Sequence, residues 1–395
     1  MKQVDVVIVG AGPAGLSFAR ALAGSGLSIA LVEPQPRDRL AAPAFDGREI
    51  ALTHASRSIM QRLGMWERID PDEISALRDA KVMNGSSPFS LTFAAQQRQA
   101  GELGWLVPNH LIRRAAWQAT EEQEGLELLD GVSVTGLQPG SERSQVALSD
   151  GGQLSARLVV AADSRFSSTR RMMGIGAQMR DFGKTMLVCR MRHERPHHHA
   201  AWEWFGYGKT LALLPLNGER AGAVVTLPPR EIEALLALDE AAFGAAITRL
   251  FEHRLGAMVQ DGSRHAYPLV GVYAHRFVGQ RYALIGDAAV GMHPVTAHGF
   301  NFGLQSQARL SGAVAQAAAS GRDIGAAALL AGYERSHRWA TRPLYEATNA
   351  IAALYTDDRL PARLLRDAAL RLANGVAPFK QAIAAHLTQR RALPR

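Results

Sequence analysis

The stretch from residue 4 to residue 33 constrains the fold of this chain more than any other, because it reads as strand, glycine turn, helix, second strand and acid. The β-branched run at 4–9 is typical of a strand buried on both faces. Directly after it comes a G-x-G-x-x-G pattern, Gly10-Ala11-Gly12-Pro13-Ala14-Gly15. A second strand at 29–32 delivers Glu33 at the spacing where a carboxylate can hydrogen-bond a ribose diol. The stretch therefore predicts a βαβ unit that binds an adenine dinucleotide.

Each glycine of this pattern has a separate task. Gly10 permits a sharp turn, Gly12 lets a pyrophosphate approach the backbone, and Gly15 lets the helix lie close to the strand. The helix N-terminus beside the turn offers unpaired N–H groups and a positive dipole end to the phosphates. The unit alone leaves open whether the dinucleotide is FAD or NAD(P).

Bulk properties narrow the class of protein. A chain of 395 residues is long enough for two globular domains, and no window in it is apolar enough over a sufficient length to cross a bilayer. Cys189 is the single cysteine, so an intramolecular disulfide is excluded and a cytoplasmic setting is expected. The net charge of +8 comes with no nucleic-acid motif, so we expect no nucleic-acid partner.

Part of the positive charge lies in the segment 351–395, which we predict to be helical. Arg359, Arg363 and Arg366 fall on one helical face and apolar residues fall near another, as an interfacial helix requires. Two interpretations stay open, a solvated basic face and a surface that docks onto a membrane.

Periodicity predicts the main elements of the remaining chain. The proline-broken segment 34–43 predicts a loop without a helix. Helical patterns lie at 111–124, 231–255, 299–319 and 326–355. A second sheet is predicted from candidate strands at 185–191, 201–205, 210–214 and 221–227, with a hairpin turn at Asn217-Gly218. Arg48 precedes an amphipathic helix, where its guanidinium either reaches a phosphate or lies on the surface.

Two further motifs follow predicted core strands. The strand at 158–162 runs into Asp163, followed by Ser167 and Arg170, and the strand at 282–285 ends in Gly286-Asp287. A Pro/Gly loop then leads into the helix at 299–319, so a second helix N-terminus lies beside a strand end. Two such termini can serve the two ends of one extended ligand.

A histidine-rich segment, formed by His193 and 197–199, does not predict a metal site. Consecutive histidines point in different directions, and no carboxylate or cysteine frames them. We interpret the segment as a polar loop and expect no metal.

Taken together, the motifs resemble the class A flavoprotein aromatic hydroxylases, the family of para-hydroxybenzoate hydroxylase. A narrower resemblance is to the ring hydroxylases of ubiquinone biosynthesis, closest to the demethoxyubiquinol type, and it rests on Arg48-x-Ile50-Ala51-Leu52 and on His293-Pro294 through Gly299-Phe300-Asn301. The resemblance implies an α/β (α+β) fold, with a Rossmann-like FAD-binding domain, a discontinuous β-sheet substrate domain and C-terminal helices. The implied boundaries are 1–75, 98–178 and 272–350 for the FAD-binding domain, 76–97 and 179–271 for the substrate domain, and 351–395 for the helical segment.

The resemblance also implies FAD as the cofactor. Arg48 and the Asp163 motif would lie near the pyrophosphate, Asp287 would hold the ribityl chain, and Asn301 would lie at the helix that meets the isoalloxazine. The implied FAD-binding residues are Gly10, Gly12, Pro13, Ala14, Gly15, Glu33, Arg48, Asp163, Gly286, Asp287, Pro294, Gly299, Phe300 and Asn301.

The implied reaction is hydroxylation of a prenylated phenol or quinol of ubiquinone biosynthesis. NAD(P)H, bound transiently, reduces the flavin, and O₂ forms a C4a-hydroperoxide that transfers oxygen to the ring. The sheet at 185–227 would roof the substrate pocket, with Trp204, Leu213 and Pro215 as pocket residues. If the basic C-terminal helices are a docking surface, their partner would be the inner membrane or a quinone-biosynthesis complex. The regiochemistry and the choice between NADH and NADPH stay open.

Several positions depart from the family pattern, among them Gln305 with Ser306, which stands where an acidic residue often follows. Ser164 and Ala297 replace glycines, and His298 replaces a glutamine. His298 is the local candidate for proton transfer, and the alternative is a structural loop histidine.

Other functions remain as rival interpretations. The W-x-W pattern at Trp202-Glu203-Trp204 resembles that of flavin-dependent halogenases, although the expected apolar residue and proline are missing. A flavin reductase or dehydrogenase acting on an isoprenoid is a second rival. A non-catalytic flavin scaffold of a quinone-biosynthesis complex is a third.

Overall fold

The structure is a computed structural model that describes residues 1–85, 90–94, 101–356, 359 and 366. The strands, in chain order, are β1 (Lys2–Val9), β2 (Ile29–Glu33), β3 (Glu49–Leu52), β4 (Ser75–Leu77), β5 (Asp79–Asn84), β6 (Ser90–Ala94), β7 (Gly104–Pro108), β8 (Leu126–Asp130), β9 (Val134–Gln138), β10 (Ser144–Leu148), β11 (Gln153–Ala161), β12 (Ala177–His193), β13 (Ala200–Phe205), β14 (Thr210–Pro215), β15 (Arg220–Leu227), β16 (Met258–Gln260), β17 (His265–Ala274), β18 (Val278–Gly279), β19 (Tyr282–Leu284) and β20 (Val290–Gly291). The α-helices are α1 (Pro13–Ala21), α2 (Arg37–Ala41), α3 (His54–Arg62), α4 (Asn109–Thr120), α5 (Ser168–Met172), α6 (Pro229–Leu236), α7 (Glu240–Leu250), α8 (Gly299–Ala319) and α9 (Ala327–Thr356).

The first sheet is built around β1. Its strand order is β18-β19-β11-β1-β2-β8, and β1 pairs in parallel with β2 and with β11. Because the parallel strands are covered by helices, β2 is buried along its whole length and most of β1 is buried as well. The carboxyl ends of β1, β11 and β19 therefore lie next to one another, which brings the turns after these three strands to one edge of the sheet.

The second sheet is largely antiparallel, with the strand order β20-β17-β12-β15-β14-β13-β5-β6. Its outer face packs on α6 and α7 through a separate hydrophobic core that includes Leu187, Ile232 and Phe243. The predicted Asn217-Gly218 hairpin is confirmed, since β14 and β15 pair in antiparallel fashion around it. A third, small sheet joins β3, β7 and β4.

The predicted α/β (α+β) class is confirmed, and so are the long helices near the C-terminus. The single helix predicted over 231–255 is wrong. The Asp239 side chain accepts a hydrogen bond from the Ala242 N–H at 2.7 Å and starts a new helix, so α6 and α7 are separate. The loop predicted at 34–43 is partly wrong, because α2 forms a short helix directly after Pro36.

Most of the segment 351–395, with the helices predicted beyond α9, lies outside the described residues. One prediction there is wrong. The Arg366 side chain is buried and its Nε donates to the Leu354 carbonyl at 2.8 Å, so it does not belong to an exposed basic face. Among the described helices, none combines the length and apolarity needed to cross a bilayer. The two-domain boundaries stay a prediction.

Candidate functional site

The glycine turn after β1 forms a tight cradle. Gly10 has a φ of +101°, and a Cβ added there would lie 2.7 Å from the Ala162 carbonyl oxygen. A Cβ added at Gly15 would lie 2.0 Å from the Gly10 oxygen, so α1 packs directly on the turn. By contrast, a Cβ on Gly12 would meet no atom of the described chain within 4 Å. Gly10 and Gly15 thus serve close packing, whereas Gly12 faces open space beside the N-terminus of α1.

Glu33 closes the cradle at the end of β2. Its two carboxylate oxygens accept hydrogen bonds from the Ala11 N–H at 2.7 Å and the Gln35 N–H at 3.0 Å. The side chain is buried but lines the same cavity as the glycine turn. These bonds fix the carboxylate, whose remaining lone pairs can accept from ribose hydroxyls.

The Asp163 motif is held together by its own hydrogen bonds. The Asp163 carboxylate accepts from the Ser167 hydroxyl at 2.5 Å and from the Thr169 N–H at 3.1 Å. Ser164, which replaces the family glycine, has a φ of +80°, a conformation that favours glycine. The backbone therefore keeps the shape that a glycine would supply, in spite of the substitution.

Two arginines tie this motif to Gly286-Asp287. The Arg165 guanidinium lies 3.0 Å from the Asp287 carboxylate, and Arg165 also donates to the Val270 carbonyl. The buried Arg170 guanidinium donates to the Ala288 carbonyl at 2.9 Å. A Cβ added at Gly286 would lie 3.0 Å from the Ala14 Cβ, so the third motif also touches the first turn of α1. The three motifs therefore form one contiguous surface. Sequence reasoning did not single out Arg165.

The N-terminus of α8 is anchored by Asn301. Its side-chain oxygen accepts from the Thr53 N–H at 3.0 Å, and its amide donates to the carbonyls of Ala51 and Ala297 at 2.8 and 2.9 Å. Ala297, the second position where a glycine is replaced, has a φ of +52°. No side chain caps the helix N-terminus, whose dipole end lies at the cavity together with Gly299 and Phe300. Pro294 lines the cavity as well.

His298 and His293 line the cavity on the approach to α8. His298 is buried, and its ring lies 5.9 Å from that of Phe302. Burial, with a smaller contribution from Arg180, lowers the pKa of His293 to about 4, so this imidazole is neutral at physiological pH.

The predicted phosphate residue Arg48 also lines the cavity. Its Nε donates to the Asp46 carboxylate at 3.0 Å, and its guanidinium carbon lies 5.4 Å from the centre of the Tyr267 ring. The neighbouring Glu49 is buried against Arg190, with 2.7 Å between carboxylate and guanidinium. Burial raises the pKa of Glu49 although Arg190 opposes the shift.

One cavity of about 1330 Å³ joins all of these groups to the inner face of the second sheet. Pockets for one drug-sized ligand are roughly 300–1000 Å³, so this cavity has room for a second ligand beside the first. Its wall on the sheet includes a row of residues that are direct neighbours across the strands: Leu91, Val82, Glu203, Ala212, Val224 and Val188.

The predicted pocket residues Trp204, Leu213 and Pro215 do not line this cavity. Trp204 and Leu213 point to the opposite face and belong to the core beneath α6 and α7. Successive side chains of a strand alternate between faces, and both faces are apolar here, so the sequence pattern did not reveal which face borders the pocket. The cavity residues on the same strands are Ala201, Trp202, Glu203, Phe205, Thr210, Ala212 and Leu214.

Sequence reasoning missed Glu203, which it treated only as the middle of the W-x-W pattern. Glu203 keeps some accessible surface, and it lines the cavity. Burial raises the pKa of its carboxyl to about 8. A single acid in an otherwise apolar alternating strand was the signal that could have identified it.

The histidine segment is more ordered than a polar loop. The His197 ring lies 5.1 Å from that of His193 and 5.6 Å from that of His199. The His197 Nε2 lies 2.9 Å from the Leu216 carbonyl, and burial lowers the pKa of this histidine to about 4. The interpretation as a polar loop is therefore wrong for His193 and His197, which are buried.

The residues present fit an adenine dinucleotide. The open space at Gly12, the uncapped N-terminus of α1 and the fixed Glu33 carboxylate suit its pyrophosphate and ribose, and the uncapped N-terminus of α8 borders the same cavity. The arrangement places the two helix N-termini along one ligand-sized space, as the sequence predicts.

Comparison with known proteins agrees with this site. The family model described as FAD binding domain matches residues 3–346. Ubiquinone hydroxylase UbiM of Neisseria meningitidis is 48% identical, with 97% of this chain and 84% of that protein covered. Ubiquinone hydroxylase UbiL of Rhodospirillum rubrum is 35% identical, with 98% and 89% covered.

Among solved structures, PqsL of Pseudomonas aeruginosa, a probable FAD-dependent monooxygenase, shares the fold. It superimposes with a TM-score of 0.75 at 21% identity, and the match covers 90% of this chain and 98% of PqsL. The chain therefore belongs to the FAD binding domain family of flavin-dependent monooxygenases, as its motifs predict.

Proposed function

We propose that this chain hydroxylates the aromatic ring of a prenylated phenol or quinol of ubiquinone biosynthesis, with NAD(P)H and O₂ as co-substrates. The observation that carries the proposal is the single cavity that begins at the dinucleotide cradle and ends on an apolar sheet face. The names of the two relatives, both ubiquinone hydroxylases, support the class of substrate.

The residues of the cradle would bind FAD by backbone and carboxylate contacts. Gly12 and the α1 N-terminus would meet the pyrophosphate, Glu33 the adenosine ribose and Asp287 the ribityl chain, whereas Arg48 lies close enough to the cavity to approach a phosphate. When bound, FAD supplies the hydride acceptance and the oxygen activation.

The remaining protein groups orient the substrate and control charge. The positive dipole end of α8 stabilises negative charge that develops at the cavity, and Asn301 holds this helix end in place. The apolar wall of the second sheet excludes water from the reacting groups.

His298 is our candidate for a proton-transferring residue beside the ring of the cofactor. Its burial at the start of α8, on the wall of the cavity, supports this role. A structural role predicts that His298→Gln keeps the pH dependence of product formation, whereas a proton-transfer role predicts that the dependence changes.

Membrane docking completes the proposal, because a prenylated substrate resides in lipid. The net charge of +8 supports attraction to an anionic surface, either the inner membrane or a quinone-biosynthesis complex. Co-sedimentation with phosphatidylglycerol vesicles, and much less with phosphatidylcholine vesicles, is the expected result.

The test of the reaction uses purified protein loaded with FAD. We expect a prenylated phenol to stimulate NAD(P)H oxidation and, under ¹⁸O₂, to yield a product that carries one labelled oxygen on the ring. The proposal would be overturned if NAD(P)H oxidation yielded only hydrogen peroxide with every prenylated phenol and quinol. It would also be overturned if added bromide yielded a brominated ring.

A further inference from the structure

Glu203 is an acid on an apolar surface. Its direct neighbours across the sheet are Val82 on β5 and Ala212 on β14, and the next residues outward are Leu91 and Val224. All of them line the cavity. An ionised carboxylate in such surroundings loses hydration, and its apolar neighbours supply no polar group to replace the lost water.

Within the described part of the chain, no hydrogen bond or ion pair reaches the Glu203 carboxyl. Burial alone raises its pKa from 4.5 to about 8. The carboxyl therefore differs from the other acids that line the cavity. Backbone N–H groups fix Glu33, and Arg190 pairs with Glu49. Asp163 accepts from Ser167 and Thr169, and Arg165 pairs with Asp287. Glu203 is the acid of this wall whose partner is absent from the described protein.

Several titratable groups share the cavity with Glu203. Lys81 lies on the adjacent strand β5, whereas β14 and the described part of β6 contribute no charged residue. Tyr267 on β17 of the same sheet also lines the cavity, and the other walls contribute Arg48, Glu49, His293 and His298. None of these contributes to the shift of the Glu203 pKa, which has burial as its one cause.

We propose that Glu203 binds the ring hydroxyl of the substrate and accepts its proton. This inference rests on the proposed function and adds the residue that recognises the phenolic hydroxyl. In the step, the phenolic O–H bond breaks and an O–H bond forms on the Glu203 carboxylate. The negative charge passes from the carboxylate to the phenolate oxygen, where it raises the electron density of the ring. The proton passes to water when the product leaves.

The apolar surroundings suit a base for phenol. A phenolic hydroxyl has a pKa of about 10, so an ordinary carboxylate is a poor acceptor for its proton. A carboxyl with a pKa of about 8 lies much closer to the phenol. Because the base must be ionised, kcat/KM should rise tenfold per pH unit below pH 8 and level off above it.

The experiment compares the FAD-loaded wild type with Glu203→Gln, which is nearly isosteric and cannot accept the proton. We expect equal FAD content, a loss of about 10²–10⁴ in kcat/KM for a prenylated phenol, and a pH profile whose midpoint moves from near 8 towards the ionisation of the phenol itself. Glu203→Asp should keep the midpoint near 8 at a reduced rate. Thr210→Val, on the same face of β14, is the matched control and should also keep that midpoint.

A second substrate distinguishes a role of Glu203 in proton transfer from a purely structural role. A polyfluorinated prenylated phenol that is already ionised at pH 7.5 should react with the wild type and with Glu203→Gln at rates that differ by less than about threefold. A Glu203→Gln profile identical to that of the wild type, or an equal loss with both phenols, would overturn the inference. If the wild type itself labels no ring, the proposed function fails and the inference fails with it; wild-type hydroxylation with an unaltered Glu203→Gln variant refutes the inference alone.

Discussion

Substitution of Gly12 and of Gly15 by alanine should separate ligand binding from folding within one turn. At Gly15 the new Cβ would lie 2.0 Å from the Gly10 carbonyl oxygen, and this neighbour is backbone that cannot rotate away. At Gly12, with a φ of −72°, the new Cβ would meet no atom of the described chain within 4 Å. The same chemical change therefore has two different physical consequences.

The magnitudes follow from these contacts. In Gly15→Ala, overpacking should lower the free energy of unfolding by about 3 kcal/mol, and the better helix propensity of alanine should raise it by about 1 kcal/mol. The net loss of stability is therefore about 2 kcal/mol. Gly12→Ala should leave the stability of the FAD-free protein unchanged or raise it by up to about 1 kcal/mol. In the wild type, FAD at 100 times its Kd should add about 2.7 kcal/mol, and Gly12→Ala should lose this increment because its methyl group stands in the path of the pyrophosphate.

Thermal unfolding with and without FAD measures both effects. With an unfolding entropy of about 2.1 cal/mol/K per residue, 395 residues give about 0.8 kcal/mol/K. Gly15→Ala should thus lower the Tm of the FAD-free protein by about 2.5 °C, whereas Gly12→Ala should abolish the FAD-dependent rise of about 3 °C. The reasoning is refuted if Gly12→Ala retains the rise or if Gly15→Ala unfolds at the wild-type temperature.

Three further predictions concern other parts of the site. Ser164→Gly should raise the free energy of unfolding by about 1 kcal/mol in urea denaturation, because it relieves a φ of +80°; an equal or lower value would contradict this. Asp287→Ala should reduce FAD occupancy, measured by flavin absorbance, and the loss of its partly exposed ion pair with Arg165 should cost at most about 1 kcal/mol of stability. Full FAD occupancy would show that Asp287 does not hold the cofactor. Ala212→Phe, on the cavity face, should raise KM for the phenol at normal FAD content. Leu213→Ala, on the opposite face, should lower the free energy of unfolding by about 2–5 kcal/mol without raising KM. The reverse pattern would mean that the two faces of β14 are exchanged.

The sequence was sufficient for the cradle because its signals are local. A β-branched run, two closely packed glycines and an acid at the end of the next strand act within about thirty residues, and each matches the backbone that it predicts. The same holds for Ser164 and Ala297, which the family pattern marks as glycine positions and which both have positive φ. Local backbone geometry can be predicted from the sequence when few residues determine it.

The residues of the second sheet that line the substrate cavity could not be predicted in this way. Trp204 and Glu203 are adjacent on β13, and only the packing of α6 and α7 decides which of them faces the cavity. Because helices cover one face and the cavity lies against the other, hydrophobicity does not distinguish the two faces. The break between α6 and α7 at Asp239 was, by contrast, available as an N-cap signal within an otherwise helical pattern.

The parallel pairing of β5 with β13 has a consequence for how the chain is made. β5 begins at residue 79 and β13 at residue 200, so the first of these strands leaves the ribosome long before its partner exists. During that interval the apolar side chains of β5 and β6 have no sheet to join, and such a long-range pairing forms slowly. The nascent chain should therefore expose these side chains until β13 emerges, and a fragment limited to 179–271 would lack β5 and β6 and leave the edge of β13 unpaired.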